Sequence, residues 1–170
     1  IDGCGKTTAI NGFAKYLREI HGDTVLQTKG LGDTEVGERV RAILLDNNLK
    51  PTPLAEMLLI AAQRAQHFSE VVWGAEAHTA DHILMDRYIH STFVYQVHAK
   101  KNSRKLFDYL NTLVAPVKID LTFYLKVDPR IARQRSVNRA ALDRFEKESD
   151  MFFKKVQQGY DKFVSSNFVV

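Results

Sequence analysis

A glycine-rich turn placed directly before an amphipathic segment restricts the fold of this chain more than any other feature. The run Asp2-Gly-Cys-Gly-Lys-Thr-Thr8 contains the second half of the pattern GxxxxGK[ST], whose first glycine would sit just before Ile1. Glycines allow successive backbone N–H groups to face one anion at the positive end of a helix. The alternative is a glycine turn that only caps a helix, and the run GKTT before a helical periodicity disfavours it. The pattern therefore predicts a phosphate-binding loop.

The loop assigns a role to each of its residues. Lys6 is expected to reach the β- and γ-phosphates of a nucleotide, and the Thr7 hydroxyl is expected to ligate Mg²⁺. The whole run is expected to contact the nucleotide, through Asp2, Gly3, Cys4, Gly5, Lys6, Thr7 and Thr8. Nucleotide binding is the prediction that follows from the loop alone.

Short apolar strands alternate with longer amphipathic helices along the rest of the chain, as in a parallel α/β protein. We read the 170 residues as a single domain, residues 1–170. The first helix is expected to bury Ile10, Phe13, Ala14, Leu17 and Ile20. The predicted helices cover 6–20, a segment marked by residues 36–44, 53–78, a segment starting at 129, and a last segment with apolar residues from 152 to 163. The predicted strands cover 24–27, 83–86 and 121–127.

Composition excludes several classes of protein. Apolar residues make up 45% and charged residues 26% of the chain, and no apolar run approaches the roughly 20 residues of a membrane span. The single cysteine, Cys4, cannot form an internal disulfide, so a cytoplasmic protein is expected. The net charge of +4 is mild, and the basic cluster at 100–105 is read as a solvated loop, so neither a membrane nor a nucleic-acid partner is expected. His78 and His82 lack the companions of a zinc site.

The segment His82-Ile-Leu-Met-Asp86 is an apolar strand that ends in an acid and is followed at once by Arg87. In doubly wound folds ligands bind at the carboxyl ends of the strands. There Asp86 is able to hold a magnesium-bound water, and Arg87 offers a fork of donors for a phosphate. The alternative is a salt bridge at the end of a strand.

Six ordered motifs carry a family resemblance. They are DGCGKTT, TEVGERVR with LLD, AAQRAQH, DRYxxSTxxYQ, DLTxYLxVDP, and LDRFE with FF. Together they resemble the bacterial-type thymidylate kinase family across nearly the whole chain. The resemblance implies transfer of a phosphoryl group from ATP to dTMP with Mg²⁺ as cofactor. It also implies a P-loop NTPase fold, an α/β/α sandwich of three layers around a five-stranded parallel sheet, and a homodimer formed through apolar helices such as 53–78.

On this resemblance the first strand precedes Ile1 and the last begins near Phe168. The chain is accordingly read as the interior of a longer protein, because it starts inside the loop motif and stops inside the apolar run 167–170.

The resemblance also assigns site residues. Arg64 matches the arginine that reads the thymine carbonyl edge, and Arg87 matches the one that grips the acceptor phosphate. Thr7 and Asp86 belong to the magnesium network. The positions expected to contact the substrate are Asp2, Lys29, Ile60, Arg64, Arg87, Ser91, Tyr95 and Gln96.

A mobile lid near residues 133–146 is expected to supply cationic groups, because Cys4 stands where eukaryotic-type members carry an arginine. Arg133 is expected to contact the nucleotide. The residues expected to act in catalysis are Lys6, Asp86, Arg87, Arg135, Arg139 and Arg144. Transfer between phosphates needs alignment and charge neutralisation but no general base. The alternative for the lid arginines is a solvated helix face.

Three departures from the family pattern keep alternatives open. Gly30 and Leu31 replace a glutamate and a proline in a TREPGGT-like turn, His90 replaces an acid, and Ile60 replaces the aromatic residue that stacks on thymine. A kinase of another deoxynucleotide therefore stays open. A deoxynucleoside kinase would need a carboxylate base, and we find no glutamate in the turn to act as one. A third alternative is a P-loop regulatory module that binds ATP.

Overall fold

The structure is a computed structural model that describes residues 2–114, 117–139 and 143–166, apart from the side chains of 138–139 and 163–166. Helices surround a parallel pair of strands. The elements in chain order are α1 Lys6–Tyr16, β1 Val25–Lys29, α2 Glu35–Leu45, α3 Pro53–His67, α4 Ala75–Thr79, β2 His82–Asp86, α5 Ile89–Thr92, α6 Arg104–Val114, α7 Pro129–Arg139 and α8 Asp150–Ser166. Three of these helices continue as π-helical segments, α1 through Leu17–His21, α3 through Phe68–Val72 and α5 through Phe93–Ala99.

The two strands confirm the parallel α/β class. β1 and β2 pair in parallel, with Val25 opposite His82 and Lys29 opposite Asp86. The carboxyl ends of both strands therefore lie side by side, so Lys29 and Asp86 face the same end of the sheet.

The helices that contribute to this end begin at caps visible in the sequence. The Thr34 hydroxyl accepts a hydrogen bond from the N–H of Gly37 at the start of α2, and the Thr52 hydroxyl accepts one from the N–H of Ala55 at the start of α3. Such side-chain caps satisfy amides that the helix itself leaves open. They explain why the starts of α2 and α3 agree with the sequence pattern.

Residues 121–127 form no strand, in contrast to the prediction. Leu121, Phe123 and Leu125 alternate as they would in a strand, but their side chains are exposed. A strand is stable only when a neighbour accepts and donates its backbone hydrogen bonds. Among the described residues the sheet has two strands, β1 and β2, and the strand predicted near Phe168 lies outside the described residues.

The helix predicted over residues 53–78 is broken in the structure. Its π-helical end closes where the N–H of Trp73 donates to the carbonyl of Phe68 at 2.9 Å, and α4 starts only after Gly74. Gly74 is extended, and a Cβ at this position would lie 2.2 Å from the carbonyl oxygen of Glu70. Glycine therefore permits a tight turn at a place where the apolar periodicity continues.

The inner face of α1 agrees with the prediction in part. Ala14 and Leu17 are buried as predicted and Ile10 and Phe13 are half-buried, but Ile20 is 68% exposed. The chain turns more widely from Leu17 to His21, in a π-helical segment. The spacing that would bury Ile20 in an α-helix therefore no longer applies.

The main apolar cluster joins the π-helical segment after α5 to α8. Val94, Tyr95 and Ala99 pack there against Phe152 and Val156. Neither α5 nor α6 was predicted from the sequence. Among the described residues, no helix is long and apolar enough to cross a lipid bilayer.

Candidate active site

The glycine-rich loop has the backbone geometry of an anion site. Gly3 and Gly5 have φ angles of 78° and 92°, in the left-handed region that favours glycine. α1 begins at Lys6, and Gly5 at its N-cap carries no side chain that would occupy the first amides of the helix. These amides are therefore open to an anionic ligand at the positive end of α1.

A charged network joins this loop to the end of β2. The Arg87 guanidinium donates to Asp2 Oδ1 at 2.8 Å, and Lys6 Nζ lies 3.4 Å from the same oxygen. Burial raises the pKa of Asp2, but the charges of Arg87 and Lys6 outweigh it and hold this pKa well below its usual range. Asp2 therefore stays ionised between two cations.

Arg87 adopts a strained backbone conformation. Its φ angle is 67°, which is uncommon for a residue that is not glycine. Burial lowers the pKa of the Arg87 guanidinium, but the Asp2 carboxylate raises it well above its usual value. Strain of this kind persists where surrounding contacts enforce it, and it is concentrated at functional sites.

Asp86 has the features expected of a residue that serves a hydrated cation. Its Oδ1 atom is buried and accepts no hydrogen bond from the described residues. Thr7 lies exposed in the first turn of α1. The described residues hold no group of three His, Cys, Asp or Glu side chains that would enclose a metal. Mg²⁺ in nucleotide sites uses one or two protein oxygens and takes its other ligands from phosphate and water, so Thr7 and Asp86 fit it.

The turn after β1 is packed directly against Arg87. The N–H of Gly30 donates to the carbonyl of Asp86 at 2.9 Å, and a Cβ at Gly30 would lie 2.0 Å from the carbonyl oxygen of Arg87. Gln63 Nε2 donates to the Gly30 carbonyl at 2.7 Å. The absence of a side chain at position 30 therefore permits a close backbone approach. Lys29 lies beside it, with Nζ 3.4 Å from Asp33 Oδ1.

The proposed base readers lie on α3 and on the π-helical segment after α5. Arg64 is 4% exposed, donates to Thr92 Oγ1 at 2.8 Å, and lies over the ring of Tyr88. Its Nε atom is buried without a partner among the described residues, and burial lowers the pKa of the guanidinium to about 10. Arg64 therefore keeps its charge at neutral pH. Gln96 is 2% exposed, and Ile60 is half-buried on α3.

Ser91 contacts a residue that the sequence did not suggest, and Tyr95 contacts the predicted Arg87. The Ser91 hydroxyl lies 2.7 Å from the Tyr160 hydroxyl, and Tyr160 stacks on Tyr124. The ring of Tyr95 lies beneath Arg87, with 5.6 Å between the guanidinium carbon and the ring centroid. Burial raises the pKa of Tyr95 and of Tyr160, so both phenols stay protonated at neutral pH. α8 therefore adds Tyr160 to the site.

The arginines of the expected lid go to different places. α7 packs on the phosphate loop, because a Cβ at Gly3 would lie 2.2 Å from the Ala132 carbonyl oxygen. Arg135 donates to the Gly3 carbonyl at 3.4 Å, and Arg133 pairs with Asp150 at the start of α8.

The two remaining lid arginines differ in what the structure shows. The side chain of Arg139 lies outside the described residues. Arg144 donates to Glu56 at 2.5 Å and to the Leu44 carbonyl at 2.7 Å. The structure thus brings Arg135 to the phosphate loop and Arg144 to the start of α3.

Sequence reasoning missed the buried polar side chains of α3. Glu56, Gln63 and His67 are almost completely buried, and His67 Nε2 lies 2.6 Å from the Thr28 hydroxyl. Their spacing of seven and four residues places them on one helical face. The signal in the sequence that could have indicated these buried positions is the recurrence of polar residues at helical spacing among apolar ones.

These features define the class of protein. A glycine loop opens a helix with a lysine at its start. The strand β2 ends in an acid with one oxygen that the described residues leave without a hydrogen bond, and Arg87 reaches back to the loop. The chain is a P-loop nucleotide-binding protein with the groups needed for phosphoryl transfer.

Comparisons with known proteins identify the family. The family model described as Thymidylate kinase matches residues 1–170. A thymidylate kinase of Thermoanaerobacter sp. (strain X514) is 40% identical over 165 residues, covering 96% of this chain and 80% of the relative. One from Geobacter sulfurreducens is 40% identical over 168 residues, covering 94% and 78%. The crystal structure of thymidylate kinase from Ehrlichia chaffeensis matches with a TM-score of 0.75 and 31% identity, covering 98% of this chain and 78% of that one.

The chain belongs to the thymidylate kinase family. It is an ATP-dependent phosphotransferase, and the family reaction is the phosphorylation of dTMP to dTDP.

Proposed function

We propose that the reaction takes place where the phosphate loop meets the end of β2, with dTMP bound between α3 and the segment after α5. The observation that carries this assignment is the network of Asp2, Lys6 and Arg87. It joins the loop that would hold the donor to the arginine that would hold the acceptor, at distances of 2.8 and 3.4 Å. Donor and acceptor phosphates would therefore meet beside Lys6.

On the donor side, the amides of residues 3–8 would bind the ATP phosphates and Lys6 would follow the β- and γ-phosphates. Cys4 lies in this loop, with Sγ 3.9 Å from Lys6 Nζ. Thr7 and Asp86 would hold Mg²⁺, which supplies charge neutralisation at the phosphates when bound. Arg135, which contacts the Gly3 carbonyl, would reach the same phosphates, and we assign Arg133 and Arg139 to the same lid.

On the acceptor side, Arg87 would grip the dTMP phosphate, with Lys29 close to the end of the same strand pair. Asp2 holds Arg87 in place through its carboxylate. The acceptor oxygen is already anionic, so the site has to align charges and needs no base. Ser91 and Tyr95 would line the sugar.

The base would lie along α3. Arg64 would donate to a thymine carbonyl, and Gln96 would complement the adjacent ring N–H and carbonyl. Ile60 would contact the ring by apolar packing without π-stacking. Arg64 is suited to this role because its Nε donor is buried and without a partner among the described residues.

We further propose a single domain with a lid near 133–146, an α/β/α sandwich of three layers, and a cytoplasmic homodimer. The exposed apolar side chains on the two packed helices α2 and α3 support the dimer; they are Val36, Ile43, Leu54 and Leu58. Exposed apolar side chains that cluster on one face are typical of protein interfaces.

The substrate assignment is tested by measuring kcat/KM for each nucleoside monophosphate with ATP and Mg²⁺. We expect dTMP to rank first and dUMP second, because loss of one methyl group costs about 0.8 kcal/mol. We expect dCMP and purine monophosphates to rank far below, because a buried donor facing a donor costs ~1–3 kcal/mol.

Two results would contradict this ranking. Equal values for dCMP or dGMP and dTMP would remove Arg64 and Gln96 as readers of the base. Release of ADP that does not respond to any monophosphate would indicate an ATP-binding module without this acceptor site.

A further inference from the structure

Glu56 is a buried acid beside the base pocket to which the proposed reaction gives no role. It is 1% exposed and lies in the first turn of α3. Its carboxylate accepts from Lys100 Nζ at 2.9 Å and from Arg144 Nη1 at 2.5 Å. Its Oε2 atom also lies 3.5 Å from Gln96 Nε2. The two cations already balance the charge of Glu56, so the third contact, to a neutral amide, is not needed for neutralisation.

The contact between Glu56 and Gln96 is one of two polar contacts that join α3 to the helical segment formed by α5 and its π-helical continuation. Glu56, Ile60 and Arg64 follow one another at intervals of four residues and so share a face of α3. On the opposing segment, Thr92 and Gln96 are also four residues apart. Arg64 donates to Thr92 at 2.8 Å, and Glu56 contacts Gln96 at 3.5 Å. Ile60 thus lies on α3 between the residues that make these two contacts. The contact of Glu56 with Gln96 is therefore next to the contact made by Arg64, the arginine that would read the base.

The chemistry of the two side chains gives the contact a consequence. A glutamine amide is able to rotate by half a turn and exchange its donor and acceptor ends. An ionised carboxylate only accepts hydrogen bonds. Glu56 therefore holds the NH₂ group of Gln96 toward itself and leaves the amide carbonyl, Oε1, for other partners.

We propose that Glu56 is a positioning residue that fixes the Gln96 amide with its carbonyl oxygen toward the base. A carbonyl in this place accepts the N3–H of thymine or uracil. Cytosine has an unprotonated N3 acceptor there, so two lone pairs would face each other. This inference rests on the proposed role of Gln96 in reading the base. It places part of the selection against cytosine in a residue that need not touch the substrate.

The test replaces Glu56 by glutamine, which either donates or accepts and so releases the amide. In Glu56→Gln we expect kcat/KM for dCMP to rise roughly fivefold and that for dTMP to fall roughly fivefold, a ratio change that corresponds to about one misaligned hydrogen bond at each base. The change should lie in KM, with kcat near the wild-type value. Arg64 still opposes the cytosine amine, so dTMP stays the better substrate.

A matched control is available at Glu148, whose carboxylate lies 3.5 Å from the same Lys100. Glu148→Gln should keep the wild-type ratio of dTMP to dCMP. If Glu56 only balanced the charges of Lys100 and Arg144, both variants would leave that ratio unchanged. Increased activity toward dCMP is a readout that damage to the fold would not produce.

A second variant covers the case in which Glu56→Gln does not fold. Glu56→Asp keeps the charge, and the flexible Lys100 and Arg144 side chains are able to follow the shorter carboxylate, whereas the 3.5 Å contact to Gln96 is lost. We expect the same direction of change in base preference. A folded Glu56→Asp with the wild-type ratio would overturn the inference.

Gln96→Met separates this inference from the proposed function. If Gln96→Met alone leaves the ratio of dTMP to dCMP unchanged, Gln96 does not read the base and both ideas fall. If Gln96→Met lowers the ratio but the Glu56 variants do not, only the positioning role is overturned. In support of it, Glu56→Asp should have no further effect on the ratio in the Gln96→Met background.

Discussion

At the scale of single residues, the Asp2 carboxylate lies between the two cations that are expected to bind phosphates. Asp2 is held between Arg87 and Lys6, and its pKa is held well below the usual range by those two cations, against the effect of burial. A carboxyl of this kind loses its stabilising charge only when the pH falls below the usual carboxyl range, about 3.9 for an unfolded aspartate. The network is therefore intact throughout the neutral range.

Replacing Lys6 tests the phosphate loop. Lys6→Ala should abolish phosphoryl transfer, because its charge is expected to move with the β- and γ-phosphates. The fold should survive, because the half-buried Asp2, one partner of Lys6, keeps its ion pair with Arg87 when Lys6 is replaced. Steady-state turnover and circular dichroism of the variant check both parts. A folded variant with turnover near the wild-type value would remove the loop from the mechanism.

Cys4 provides a chemical probe of the same loop. Its Sγ atom lies 3.9 Å from Lys6 Nζ, inside the proposed phosphate site. Alkylation with iodoacetamide should inactivate the enzyme because the added group occupies space meant for the phosphates. ATP with Mg²⁺ should slow the labelling, as followed by mass spectrometry. Cys4→Ser serves as the control, since it should resist inactivation by the reagent. Equal labelling rates with and without nucleotide would contradict the placement.

At the scale of elements, the arginines of α7 and the arginine that precedes α8 serve different parts of the molecule. α7 lies against the phosphate loop through the contact of Gly3 with Ala132. Arg144 instead joins the C-terminal end of α2 to the first turn of α3, because it donates to the Leu44 carbonyl and to Glu56. Arginines that look equivalent in sequence therefore belong to different parts of the molecule.

Arg135→Ala and Arg144→Ala form a pair that separates these tasks. Arg135→Ala should lower kcat more than it raises KM for dTMP, with little change in stability. Arg144 is only 15% exposed in its side chain, so Arg144→Ala should lower the free energy of unfolding by about 2 kcal/mol. Steady-state kinetics and urea unfolding of both variants give the comparison. A loss of kcat without a loss of stability in Arg144→Ala would place Arg144 in the lid chemistry instead.

The sequence predicts elements where local chemistry decides them. The glycine loop, the helix that starts at Pro53 and the acid at the end of β2 are all predicted from a few neighbouring residues. Prediction from the sequence fails where the structure of a segment depends on a partner that is distant in the chain. Residues 121–127 alternate correctly but pair with no described strand. Glu56 contacts Gln96, 40 residues away in the chain, and Tyr160 contacts Ser91, 69 residues away. No local sequence pattern predicts either contact.

At the scale of the whole molecule, the lowered pKa values of three buried or half-buried histidines are expected to couple folding to pH. Burial lowers the pKa of His67, the charge of Arg64 adds to this effect, and Asp33 opposes it. The pKa values of His90 and His98 are lowered as well, also by burial first. An unfolded histidine has a pKa of about 6.5, so the unfolded chain binds more protons between that value and the lower folded pKa.

Stability should consequently fall as the pH drops below about 6.5 and should level off below the folded pKa values. His67→Gln should weaken this dependence between pH 7.5 and 5.5, as measured by urea unfolding. His78→Gln, which removes an exposed histidine, is the matched control and should keep the wild-type dependence. An unchanged slope in His67→Gln would show that His67 does not carry this coupling.

The close approach of Gly30 to Arg87 is also expected to limit which acceptors this site phosphorylates. Activation of a sugar hydroxyl requires a carboxylate base, and the Arg87 backbone occupies the space where a side chain at position 30 would begin. Asp33 in the same turn already accepts from Lys29 and Thr28, Asp2 is engaged by Arg87, and the proposed role of Asp86 is to hold Mg²⁺. An unphosphorylated nucleoside such as thymidine should thus compete for the pocket and leave unchanged. The enzyme is therefore expected to act only on an acceptor that already carries its first phosphate.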